Sequence, residues 1–151
     1  MFDGKTFFEV AAQLRSFGHT SGKSDAFFRS SVSRAYYACF HAYRERHFPK
    51  EKWHIPKGGG EKEYISHRKL RKKVRADGEH LIADKLDLLV ELREHADYHS
   101  WQPAVQGTTV QPPACYCPWG PDARGNSDLA LDLARQLLEQ LEKGVGTGPG
   151  S

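Results

Sequence analysis

Apolar residues recur along most of the chain at spacings of three and four, the period of a helix with one buried face. Phe7, Val10, Ala11 and Leu14 predict a first helix over about Thr6 to Ser16, and the SFGHTSGKS stretch reads as its break. Ser24 or Asp25 is expected to cap a longer second helix, about Asp25 to Arg46, closed by Pro49. A loop through Pro56 and Gly58-Gly59-Gly60 leads to a basic third helix from about Lys62 to Arg75. Asp77-Gly78 interrupts it, and a fourth helix follows from about Glu79 to Tyr98. Between Trp101 and Asn126 the residues turn to Pro, Gly, Gln, Thr and Cys, a long loop of the kind that tends to be functional. Ser127 is expected to cap a last helix, Asp128 to Lys143, with Leu129, Leu133, Leu137 and Leu141 on one side. No alternating strand pattern and no internal repeat stands out. The pattern predicts one all-α domain over 1–143, an up-and-down bundle of four to five helices, with a disordered tail at 144–151.

Two of these helices carry polar residues where apolar ones are expected. In FRSSVSRAYYACFHAYRERH, a stripe of Phe28, Val32, Ala35, Tyr36, Cys39 and Tyr43 faces one way. Arg34 and His41 lie opposite, seven residues apart and nearly superposed, with Tyr37 close by. Such a helix is prepared to be covered twice, the second time by another helix or another subunit. In LVELREHADYHS, Leu86, Leu89, Val90 and Asp97 all fall within roughly 60° of Arg93 at about 100° per residue. A guanidinium and a carboxylate thus share the stripe that should face the core.

Composition narrows the class. An apolar share of 38% with 27% charged residues in 151 residues describes a globular domain large enough to bury a core. MFDGKTFFEV lacks the basic and apolar regions of a secretory signal, and no apolar run approaches a membrane span. Three cysteines give an odd count and no disulfide framework, so a cytoplasmic protein with reduced thiols is expected. The net charge of +3 says little, but its distribution says more. HRKLRKKVR gathers Arg68, Lys69, Arg71, Lys72, Lys73 and Arg75 on one short helix. That helix is either a solvated face or a track for RNA phosphates.

RAYYACFH at Arg34 to His41, followed some fifty residues later by LREHADYH at Leu92 to His99, resembles the HEPN superfamily. The similarity is greatest to its small stand-alone prokaryotic members, and it covers about Ser24 to Ser100 and, loosely, the final helix. The resemblance implies a helical bundle that forms a homodimer through its two longest helices. It also implies a metal-independent ribonuclease of a toxin–antitoxin or antiviral defence module, with a nucleotidyltransferase-type antitoxin as a possible partner. The family's active Arg and His stand four to six residues apart, contributed by both subunits to one cleft. Arg93 and His99, with five residues between them, match that spacing. Arg34, Tyr37, His41, Asp97 and Tyr98 would support or line the cleft. Glu94 stands where the family commonly has Asn, Asp or His, and the 101–126 insertion is atypical.

Cutting RNA without a metal needs a base for the 2′-hydroxyl, an acid for the leaving 5′-oxygen and a cation for the phosphorane. Histidine suits the first two tasks and arginine the third. On an unbroken helix His99 lies about 120° from Arg93, so the helix should end after Tyr98 and let His99 swing back. The scaffold alternative pairs Arg93 with Asp97, joined by Arg34, to fix how the long helices cross. A rival function is a catalytically silent HEPN module that binds RNA, a nucleotide or a nucleotidyltransferase, which Glu94 favours by opposing substrate charge. His95 and His99, at i and i+4, could share a metal with Cys115 and Cys117, stapling the loop; no metal or cofactor is expected for cleavage. Trp101, Tyr116 and Trp119 could stack on unpaired bases or pack over the bundle end.

Overall fold

A computed structural model describes residues 4–48, 55–57, 61–63, 65–98 and 123–144. Five helices appear among them: α1 (Gly4–Thr20), α2 (Ser24–His47), α3 (His67–Ala76), α4 (His80–Tyr98) and α5 (Ala123–Gly144). The fold is an all-α bundle built round α2, which packs against each of the other four helices. A short antiparallel hairpin, β1 (Ile55–Lys57) with β2 (Glu61–Glu63), joins α2 to α3, pairing Ile55 with Glu63 and Lys57 with Glu61. No strand was expected there, because three residues are too few to leave an alternating pattern. None of the described helices is long and apolar enough to cross a membrane.

The stripe predicted on α2 is the core. Val32, Ala35, Tyr36, Cys39 and Tyr43 are buried against Leu86, Leu89 and Leu92 of α4, Leu70 and Val74 of α3, and Leu133 and Leu137 of α5. Each fully buried aliphatic or aromatic side chain contributes on the order of 1.5–3 kcal/mol of transfer free energy. Ala38 and Phe40 are buried as well, so α2 is enclosed over more of its circumference than one stripe.

Several helix ends differ from the sequence expectation, through tertiary contacts or, at α3, through a local cap. α1 runs past Gly18 to Thr20, and Gly18 is buried where α1 packs against Phe28 of α2. A Cβ there would stand 2.6 Å from the Phe28 ring. The cap of α2 is Lys23, with no side-chain hydrogen bond, and not Ser24 or Asp25. α3 begins at His67 and not near Lys62, since the Ser66 hydroxyl accepts from the Lys69 amide and sets its start. Gly78, at φ +85°, makes the left-handed turn between α3 and α4. α5 begins at Ala123, so Ser127 caps nothing; it is buried and donates to the Ser31 hydroxyl at 3.1 Å. The expected 101–126 loop is therefore shorter by its last four residues, and 99–122 lie outside the described residues.

Candidate active site

Arg93 lies at the edge of the core, its side chain 16% exposed. Its Nε donates to Asp97 Oδ2 at 2.9 Å, the i, i+4 pair that the helical wheel allows. The guanidinium carbon stands 5.7 Å from the Tyr36 ring centre and 5.5 Å from that of Tyr37. Burial alone would lower the pKa of Arg93, but the hydrogen bond to Asp97 and the nearby tyrosines more than reverse this. The cation is thus held in place by one carboxylate and two aromatic rings.

The expected link from this pair to Arg34 is absent. Ser33 takes that place, donating its hydroxyl to Asp97 Oδ1 at 2.5 Å. Arg34 is exposed and lies 5.6 Å over the Phe7 ring of α1. Arg29 braces the other side of α4: it pairs with Asp25 at 2.6 Å and donates from Nη1 to the Ala96 carbonyl at 3.3 Å. That puts a cation on a carbonyl of α4's last turn, at the negative end of its dipole.

Together these side chains line an open groove of about 490 Å³, walled by Arg29, Ser33, Arg34 and Tyr37 of α2 and Ala96 and Asp97 of α4. Arg29, Ser30 and Ser33 are residues that the sequence reading passed over. They were findable: Ala26, Arg29, Ser30, Ser33 and Tyr37 repeat at three and four, a polar stripe beside the apolar one.

His41 is half-buried among rings, with Phe7 at 6.2 Å, Phe40 edge-on at 5.2 Å and Tyr37 stacked at 6.1 Å. Burial first, then Arg44 and His67, push its pKa down to about 4. His41 is neutral at pH 7 and packs the α1–α2 seam. His67, the first residue of α3, is a histidine to which the sequence reading gave no role. Its ring is 4.3 Å from Phe40, and its Nδ1 is hydrogen-bonded to the Tyr36 hydroxyl. Burial, then Arg93 and Arg71, lower its pKa.

The basic helix is partly spent on its neighbours. Arg71 pairs with Asp87 at 2.8 Å, Arg75 with Asp84 at 2.7 Å and Asp87 at 3.0 Å, and Lys73 with Asp77. Arg71 and Arg75 fasten α3 to α4, while Lys73 pairs within the end of α3 itself. Arg68, Lys69 and Lys72 are exposed and form the part of the expected track that faces solvent. His95 sits about 200° round α4 from Arg93, beside Arg29, Val32, Ala123 and Asn126. His99, Trp101, Cys115, Tyr116, Cys117 and Trp119 lie outside the described residues, as does the side chain of Tyr98. Among the described residues no group of three or more His, Cys, Asp or Glu side chains is arranged to hold a metal ion.

No family model, curated protein or solved structure matches this chain. Chemically, the site offers a fixed guanidinium, two hydroxyls and a groove lined by Arg29, itself paired with Asp25, by Arg34 and by Asp97. Such a groove can take a phosphate backbone.

Proposed function

We propose that the protein is a HEPN-type endoribonuclease that cleaves RNA without a metal, with Arg93 and His99 as its reactive pair. The observation that supports this best is the position of Arg93. It is clamped by Asp97 and the two tyrosines beside an open groove, less than two turns before His99 in the chain. Arg93 would steady the phosphorane charge, and His99 would move the proton between the 2′- and 5′-oxygens. In a homodimer two such sites would supply one acid and one base. Arg68, Lys69 and Lys72 would hold the backbone beyond the cut. A cytoplasmic toxin–antitoxin or antiviral module, with a nucleotidyltransferase-type partner, is the setting this reading implies.

One observation favours a second reading, a silent module that binds RNA, a nucleotide or such a partner. Arg93 already has a carboxylate on its Nε, and exposed Glu94 adds another negative charge beside it. RNA cleavage in the presence of EDTA separates the two. The wild type is expected to cut unimpeded, while Arg93→Ala and His99→Ala each lose roughly 10²–10⁴-fold. Equal cleavage by all three proteins would remove these residues from the reaction. Salt-sensitive RNA binding with no cleavage by the wild type would establish the silent module instead.

A further inference from the structure

His67 belongs to the basic stretch by sequence but not by position. Its ring centre lies 5.3 Å from Tyr36 and 6.1 Å from Tyr37, the same two rings that carry the Arg93 guanidinium. An imidazole from α3 and a guanidinium from α4 therefore both stand against one pair of tyrosines on α2, and the charge of Arg93 acts on His67. We propose that Arg93 and His67 form one anion site, in which a phosphate group set against the guanidinium also takes a hydrogen bond from a doubly protonated His67 ring. The proposal rests on the reading of Arg93 as a phosphate-binding residue.

The ring's surroundings make it responsive to an anion. From α2, Tyr36, Tyr37, Phe40 and His41 face it; Arg71 acts from α3, and Arg93 from α4, where Glu94 also reaches Tyr36. With no anion bound, burial and the two guanidiniums disfavour a charge on His67. Burial pushes the pKa of Tyr36 up, so its hydroxyl keeps its proton, and in the His67 tautomer with the ring proton on Nε2 it donates to Nδ1. A phosphate cancels the field of Arg93, and the ring can then accept a proton from solvent on Nδ1. The Tyr36 hydroxyl changes from donor to acceptor, so the hydrogen bond survives in both states. Asp97 opposes this by competing for Arg93, and Asp87 holds Arg71 back from the anion.

The test uses the full chain with isotope-labelled histidines and a 2′-O-methyl oligoribonucleotide, which keeps the phosphates but has no hydroxyl to attack. NMR titration of the His67 ring, assigned with His67→Gln, should show its midpoint rising when the oligonucleotide is bound. A rise of about one pH unit corresponds to about tenfold tighter binding below the two midpoints than above them. That dependence should be lost in His67→Gln, whose amide oxygen can still accept from Tyr36. An unmoved midpoint, an unchanged pH dependence in the variant, or no binding at all would overturn the site. Cleavage of ordinary RNA by a protein whose His67 midpoint does not move would overturn this site alone. A moving midpoint in a protein that cuts nothing would keep the site and remove the ribonuclease.

Discussion

The two sides of α2 solve the problem of buried polarity in opposite ways. Towards α1 and α5 three of its polar groups are neutral and fully enclosed. Tyr43 donates to the Leu137 carbonyl at 2.9 Å, Ser31 to the Ala11 carbonyl at 2.8 Å, and the Cys39 thiol to the Ala134 carbonyl at 3.7 Å. Burial pushes the pKa values of Tyr43 and Cys39 up, so neither ionises near neutrality. Towards the end of α4 the groups are charged and partly solvated: Arg29 with Asp25, Arg93 with Asp97, and exposed Arg34. A neutral hydroxyl on a backbone carbonyl is buried at little net cost, whereas an ion pair taken from water loses most of its solvation. The first side can therefore be sealed, and the second must stay open. Openness is what leaves it available to a ligand.

Substitutions on each side should separate these roles. Leu137→Ala, at the centre of the sealed seam, is expected to lower stability by about 2–5 kcal/mol in chemical denaturation. Its RNA cleavage per folded molecule should stay at the wild-type level; a parallel loss of activity would mean that the two sides are coupled.

Acid should weaken the fold through His41, in the α1–α2 seam, and His67, against Tyr36 and Tyr37. The folded-state pKa values of His41, about 4, and of His67 lie below the ordinary value near 6.5. Between those values the unfolded chain binds more protons, so stability falls as pH drops through the window. The urea midpoint should decline from pH 6.5 towards 4, and His41→Gln should flatten part of that decline. A flat profile in the wild type would mean that His41 is charged in the folded protein.

The smallest change in stability is expected for Asp97→Asn, about 0.3–1 kcal/mol, since its ion pair with Arg93 is partly exposed. Its effect on RNA should be the more instructive. Relieved of the carboxylate, Arg93 should bind RNA several-fold more tightly at low salt, because its charge is no longer offset. Weaker binding, like that expected of Arg93→Ala, would show that Asp97 acts chiefly by positioning the guanidinium.

Much of the scaffold was legible in local pattern. The 3.6-residue period located all five helices and most of the α2 core, and the wheel through Leu86, Leu89, Val90, Arg93 and Asp97 foretold the ion pair at the core's edge. The site was legible only along single helices. Arg93, Asp97, Arg34 and Tyr37 could be named, and the Arg93–Asp97 pair is there, but the residue that joins it is Ser33 and not Arg34. His67 was counted with a charge run while its ring lies among α2 aromatics.

What the sequence determined by itself is what acts within a few residues: helical period, the cap at Ser66, and the left-handed turn at Gly78. Tertiary structure alone decided which groups from distant stretches meet. A Cβ at Gly18 would run into the Phe28 ring, buried Ser127 donates to the Ser31 hydroxyl, and Ser33 of α2 bonds Asp97 of α4 on the wall of the groove. These contacts depend on how the helices pack, and no local rule of spacing contains that information.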